Sequence, residues 1–219
     1  MLTFLYCLDE NYNKQAFTSI FSLLDNINEP IKIIMLHKNP KTFLENKFYK
    51  EIKKKKNLSE IQILNFVKKE VEFPQLIDAH VSEATYYRIY ISNYISMDHE
   101  ILIYLDPDVI CIKNPVKELQ KKIDELKTSD QIIGASTETY KKNEEDQEFI
   151  RLNMESNEYF NAGFMIIDYS KWQNKNTTNN LVSKLFEIFD NIVFWDQDVL
   201  NSFFDGDYIK LDKRFNFKI

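Results

Sequence analysis

Two carboxylates one residue apart close the apolar run Ile101-Leu102-Ile103-Tyr104-Leu105, giving Asp106-Pro107-Asp108. Hard oxygen donors at that spacing, with a proline stiffening the link, can hold a divalent cation and, through it, a diphosphate. The same residues also suit an Asp-Pro-Asp turn, in which aspartate caps and proline fixes φ, and the stretch alone leaves both readings open. Other polar groups are similarly placed. Asp9, Asn11 and Tyr12 follow the apolar run 2–8, Asn161 and Gly163 interrupt another at 159–168, and Asp196 and Gln197 stand beside Trp195. Arg88 lies in a tyrosine-rich segment just upstream of the acid pair. Singly, each has a plain structural account as a surface arginine, a bulge glycine or a helix-capping aspartate. Together, at the ends of elements around one sheet, they are better explained by a shared cleft.

The elements that must position these residues follow from periodicity. Short β-branched runs at 2–8, 31–36, 61–64, 101–105, 131–136, 159–168 and 208–211 predict strands. Helical spacing predicts helices over 14–26, from about Thr42, from Ser82 (a Ser-Glu-Ala-Thr N-cap) to Tyr94, from Pro115 to Leu126, over 169–189 and from Trp195. Strand, helix and strand joined by short connections imply right-handed crossovers and parallel pairing. The fold class is therefore α/β, a mostly parallel central sheet with helices on both faces, and ligands in such sheets bind at the carboxyl ends of strands. The polar stretch from Glu138 to Glu158 is either a mobile lid or a helical excursion. No internal repeat or interdomain linker is visible, so residues 1–219 read as one domain.

Bulk composition excludes several classes. A hydrophobic fraction of 44% supports a large core, and a net charge of −6 argues against a general nucleic-acid binder. Cys7 and Cys111, the two cysteines, both lie in apolar strand-like runs and read as reduced thiols. No apolar run approaches bilayer length and the N-terminal run is too short for a signal peptide core, so a cytoplasmic location is expected. The run Lys53-Lys54-Lys55-Lys56 could touch anionic headgroups, but a solvated helix end suits it better.

Tyr104-Leu105-Asp106-Pro107-Asp108, Tyr159-Phe160-Asn161-Ala162-Gly163 and Asp196-Gln197-Asp198-Val199-Leu200-Asn201 together resemble the motifs of glycosyltransferase family 8. That family includes lipopolysaccharide galactosyl- and glucosyltransferases and is related to glycogenin. The similarity runs in consistent order from Thr3 to Phe217; the ordered set of motifs carries it, since Asp-x-Asp alone is common.

The resemblance implies a single Rossmann-like nucleotide-diphosphosugar transferase (GT-A) fold. It also implies a retaining transfer of galactose or glucose from UDP-galactose or UDP-glucose, with Mn²⁺ (or Mg²⁺), to a bacterial surface-glycan or glycolipid acceptor. By position, Asp9 and Asn11 would bind the uracil edge, Tyr12 would stack on the ring, and Arg88 would reach the donor sugar or its phosphates. Asp106 and Asp108 would ligate the metal, with Asp106 also near the ribose. Asn161, Ala162, Gly163 and Asp196 would line the donor sugar, Gln197 would lie under the anomeric carbon, and His80 would face the acceptor. The family's C-terminal segment, with a metal-binding His, diphosphate-gripping Gly and Lys residues and often a basic, aromatic membrane anchor, should follow Arg214-Phe215-Asn216-Phe217. This chain therefore reads as C-terminally truncated, and a catalytically impaired UDP-sugar-binding remnant is the alternative. Pro107, with no backbone N–H, forfeits any donor contact the family makes there, and Cys7 replaces a small residue.

Overall fold

The computed structural model describes residues 1–68, 73, 82–143 and 146–217. β1 (Leu2–Leu8) leads through a 3-10 turn (Glu10–Tyr12) into α1 (Asn13–Asn26), and β2 (Ile31–His37) returns parallel to β1. α2 (Pro40–Leu44) and α3 (Lys47–Ile52) precede β3 (Leu58–Asn65), also parallel. A long 3-10 helix (Glu83–Asn93) then leads to β4 (Ile101–Leu105), which pairs with β1 on the side opposite β2. α4 (Val116–Thr128), β5 (Ile133–Tyr140), α5 (Gln147–Arg151) and β6 (Glu158–Asp168) follow. α6 (Tyr169–Asn174), α7 (Thr177–Glu187), α8 (Trp195–Phe204) and β7 (Ile209–Lys210) complete the order.

The seven strands run β3-β2-β1-β4-β6-β5-β7, parallel except where β6 opposes β4 and β5. Alternation along β1 shows why both faces need cover. Leu5 and Cys7 enter the core under the 3-10 helix and α6–α8, while Phe4, Tyr6 and Leu8 enter the core under α1–α4. Tyr6 is fully buried because its hydroxyl meets Ser19 Oγ of α1 at 2.9 Å.

Two features of this order position the site. The chain winds outward from β1 through β2 and β3, then restarts at β4 on β1's other edge, so a topological switch point lies between the carboxyl ends of β1 and β4. The reversal of β6 then brings its early residues to that same edge: Leu105 pairs with Phe164, and the Asp106 amide donates to the Gly163 carbonyl at 2.8 Å.

Several elements differ from the sequence expectation. The helix expected from Thr42 is two short ones, because the Asn46 side chain accepts from the Phe48 amide and restarts the helix as its N-cap. The helix expected over 169–189 breaks at Asn176, which takes a left-handed φ of 53°. Cys111 is expected in a strand-like run, but β4 ends at Leu105 and Cys111 sits half-buried beyond the turn. The polar stretch after Ser136 extends β5 to Tyr140 before giving the helical excursion α5, whose Phe149 is buried. No helix among the described residues is long and apolar enough to cross a membrane.

Candidate active site

Arg88 is the hub of the site. The 3-10 helix that carries it is capped by Ser82, whose Oγ accepts from the Ala84 amide at 3.1 Å. Arg88 is 3% exposed. Its Nη1 donates to the Ala162 carbonyl at 2.6 Å, its Nη2 to Asp106 Oδ1 at 2.8 Å and its Nε to the Thr85 carbonyl at 3.1 Å. Its guanidinium carbon sits 3.9 Å from the centre of the Tyr104 ring, and Tyr104 donates its hydroxyl to Asp106 Oδ1 at 2.7 Å. Burial works against the charge on Arg88, but Asp196 and Asp106 outweigh it and hold the guanidinium protonated.

On the β6 side the backbone itself is the scaffold. Asn161 Oδ1 accepts from the Gly163 amide at 2.8 Å and from Asn216 Nδ2, while Asn161 Nδ2 donates to Glu138 Oε2 at 3.1 Å. A Cβ at Gly163 would meet Asp106 Oδ2 at 2.9 Å, Asn161 Oδ1 at 3.0 Å and Asn216 Nδ2 at 3.2 Å, so close approach requires glycine here, inside the irregularity that shifts the β5–β6 register from Ala135↔Met165 to Ser136↔Asn161. Gln197 Oε1 accepts from the Ala162 amide at 2.9 Å, which turns its NH₂ towards Glu138 Oε2 and the Tyr159 hydroxyl, each at 3.3 Å.

α8 brings up Asp196 and Gln197 from a strained start. Trp195 has φ 52°, a left-handed conformation that bulky residues rarely hold. Asp198 anchors that corner: it receives the Val193 and Phe194 amides at 2.7 Å each, the Tyr159 hydroxyl at 2.8 Å and both terminal nitrogens of Arg151 at 2.6 and 3.0 Å. The three polar residues after Trp195 thus divide their work, with Asp198 structural and its two neighbours facing the cavity.

That cavity holds about 320 Å³ and is lined by Arg88, Asp106, Glu138, Asn161, Asp196 and Gln197 among others. A second, more apolar hollow between β4, α4 and Phe215, of about 250 Å³, holds none of these groups.

On the β1 side, Asp9 caps the 3-10 turn by accepting from the Asn11 amide at 2.9 Å, and its other oxygen receives the Ser82 hydroxyl. Tyr12 is half-buried, and its hydroxyl is pushed up by burial and then by the charges of Asp108, Asp9 and Asp106. The structure therefore brings Asp9, Asn11, Tyr12, Arg88, Asp106, Asp108, Asn161, Ala162, Gly163, Asp196 and Gln197 to one end of the sheet. His80 lies outside the described residues.

Asp108 is exposed, and its carboxyl is pushed up by partial burial and then by the neighbouring charge of Asp106. Two carboxylates repelling each other at the mouth of a cleft are a hard donor set that suits Mg²⁺ or Mn²⁺. Among the described residues no third His, Cys, Asp or Glu joins them, so they fit a cation that takes its remaining ligands from water and a diphosphate. Sequence reading missed Glu138, Tyr104, Thr85 and Asn216. Glu138 hid because it opens a polar stretch; a continued alternation Thr137-Glu138-Thr139-Tyr140 was the available strand signal.

The model of the family described as glycosyl transferase family 8 matches residues 3–219. A putative glycosyltransferase of Haemophilus influenzae is 27% identical over 222 residues, covering 99% of this chain and 63% of the relative. General stress protein A of Bacillus subtilis is 28% identical over 221 residues, covering 96% and 71%. The lipopolysaccharide 1,3-galactosyltransferase of Salmonella typhimurium is 32% identical over 137 residues, 61% of this chain and 39% of the relative. The chain thus spans under two thirds of the first and third of these relatives. The galactosyltransferase LgtC, crystallised with donor and acceptor sugar analogues, superposes with a TM-score of 0.77 at 22% identity, covering 99% of this chain and 75% of that one. The fold is the GT-A fold.

Proposed function

The chain belongs to glycosyltransferase family 8, and from that premise we propose a retaining, metal-dependent transfer of a hexose from a UDP-sugar to a bacterial surface-glycan or glycolipid acceptor. The observation that carries this reading is the buried Arg88, which ties Asp106 at the end of β4 to Ala162 of β6, with Asp196 of α8 against it, beside an open polar cavity. The relative from Salmonella, a lipopolysaccharide 1,3-galactosyltransferase, supports galactose as one donor sugar to test.

In this reading Asp9 and Asn11 frame the uracil edge, and Tyr12 supplies a ring face. A Mn²⁺ or Mg²⁺ ion held by Asp106 and Asp108 would neutralise the diphosphate leaving group. Arg88 is already committed to three oxygens of the protein, so it acts chiefly by orienting Asp106 and holding Ala162 in place. Asn161 and Asp196 line the cavity on the side where the donor sugar would lie, although Asn161 Oδ1 is already taken up by the Gly163 amide and Asn216. Gln197 spends its amide oxygen on the Ala162 amide and presents an NH₂ group, so it positions rather than attacks, and retention rests on same-face delivery of the acceptor. The acceptor side, His80 included, completes the proposal, and the reaction belongs to the cytoplasm at the inner face of the membrane.

The test is Mn²⁺-dependent release of UDP from UDP-galactose and UDP-glucose, with the product anomer read by NMR. Turnover with one donor and retained configuration is expected. UDP binding without turnover would select the impaired remnant, and absence of both would overturn the reading.

A further inference from the structure

We propose that α2, α3 and the lysines following them, which sequence alone favours as a solvated helix end, form a docking face for an anionic bilayer once the exposed apolar residues beside them are counted. Between Lys38 and Lys56 eight lysines stand against two glutamates, a segment charge of +6 in a chain whose other residues sum to −12. Seven of those lysines are exposed and Lys55 is half-buried. Three meet carboxylates: Lys38 with Glu83 at 2.9 Å, Lys54 with Glu51 at 2.7 Å and Lys55 with Asp25 at 2.5 Å. Lys41, Lys47, Lys50, Lys53 and Lys56 pair with no carboxylate among the described residues.

Apolar side chains stand among these charges. Leu44 is 41% and Phe48 42% exposed. Phe48 rests one edge on α1, its ring centre 5.7 Å from Phe17 and 6.4 Å from Phe21, and leaves the remainder to solvent. Lys47 Nζ lies 5.1 Å from the centre of that ring. A polyanion such as nucleic acid would satisfy the lysines alone, and the acidic remainder of the chain would repel it. A bilayer of anionic lipid satisfies both groups, taking lysines at the headgroups and Leu44 and Phe48 at the acyl boundary.

The face is tied to the nucleotide side of the cleft, since Asn13, next to Tyr12, donates to Thr42 Oγ1 of α2 at 3.0 Å. Docking would therefore hold that side near the lipid surface. The inference is independent of the donor reading, because binding is measured without any nucleotide.

The experiment is co-sedimentation of the full chain with vesicles of phosphatidylcholine alone and with 30 mol% phosphatidylglycerol, at roughly 0.1 M and 1 M salt. Binding to the anionic vesicles at low salt only is expected. The triple variant Lys47→Gln, Lys50→Gln, Lys53→Gln should lose about a hundredfold in vesicle affinity, roughly fivefold per lysine, and Leu44→Gln should weaken binding without changing its salt dependence. Unchanged thermal stability of each variant guards against misfolding. Equal binding to neutral vesicles, a triple variant that binds like the parent, or displacement by duplex DNA at matched charge would overturn the proposal.

Discussion

Asp196 Oδ2 lies 2.8 Å from Arg88 Nε without accepting its hydrogen bond. The N–H at that nitrogen is aimed at the Thr85 carbonyl, so the carboxylate oxygen is buried beside a cation with no donor of its own among the described residues. Burial therefore outweighs the attraction of Arg88, Asp106 adds repulsion, and the Asp196 carboxyl is pushed up to about 7.

This fixes a pH dependence with a definite sign. A carboxyl whose folded pKa is raised favours the fold most below its unfolded value, near ~3.9, and that contribution is lost as pH rises to about 7. Asp196→Asn removes the titration while keeping the shape. Denaturant unfolding of both proteins at pH 5 and pH 8 should show the variant gaining on the parent as pH rises, by at most ~1.4 kcal/mol per pH unit inside that window. A stability difference that does not change with pH would refute it.

Gly163→Ala tests the close approach of β6 to the acid pair. The new methyl would press on Asp106 and Asn161, whose side chains are fixed by Arg88, Tyr104 and the Gly163 amide, so they cannot yield cheaply. Stability should fall by ~1–3 kcal/mol, and UDP affinity in Mn²⁺ should fall with it. Gly134→Ala is the control. There the methyl meets Ile209 and Leu211 side chains, away from the cavity, and only stability should change. Loss of UDP affinity in both variants, or in neither, would contradict this placement of Gly163.

Much of this site was legible because its residue types clash with their local setting. Acids at the end of the buried strand β4 and an Asn beside a Gly in β6 have no ordinary role in a core, and Asp106, Asn161 and Gly163 do line the cavity, with Asp108 exposed beside it. What the sequence hid was decided by distant partners. Nothing local to Gln197 says that the Ala162 amide takes its oxygen, or that Arg151 makes Asp198 structural. The direction of β6 was also hidden, since an apolar run reads the same either way, yet that reversal is what sets Gly163 beside Asp106. Glu138 was lost to composition, a charged residue at the polar end of a strand.

Asp108→Asn separates the metal site from the rest of the cleft. Asp108 is exposed and makes no ion pair among the described residues, so its carboxylate contributes little to the fold. The variant should keep the parent's melting temperature in buffer and bind UDP alone as well as the parent does. It should lose the extra thermal stabilisation that UDP gives in the presence of Mn²⁺, because ligand-linked stabilisation follows the affinity lost. Unchanged Mn²⁺-linked stabilisation would remove Asp108 from the metal set.

Tyr12→Ala carries the complementary signature at the nucleoside end. Tyr12 is held between the 3-10 turn and α1, half-buried, and its hydroxyl is pushed up first by burial and then by the charges of Asp108, Asp9 and Asp106. In the proposed reading the half-buried ring, which directly follows Asp9 and Asn11 at the carboxyl end of β1, would give a base a stacking face while its diphosphate reaches the metal. Loss of one stacking contact should weaken UDP binding by ~1–3 kcal/mol, and Tyr12→Phe should restore most of it. The loss should be the same with and without Mn²⁺, unlike that of Asp108→Asn, and calorimetric titration of UDP in both conditions reads the difference. Undiminished affinity in Tyr12→Ala, or a loss confined to the Mn²⁺ condition, would take Tyr12 out of the base pocket.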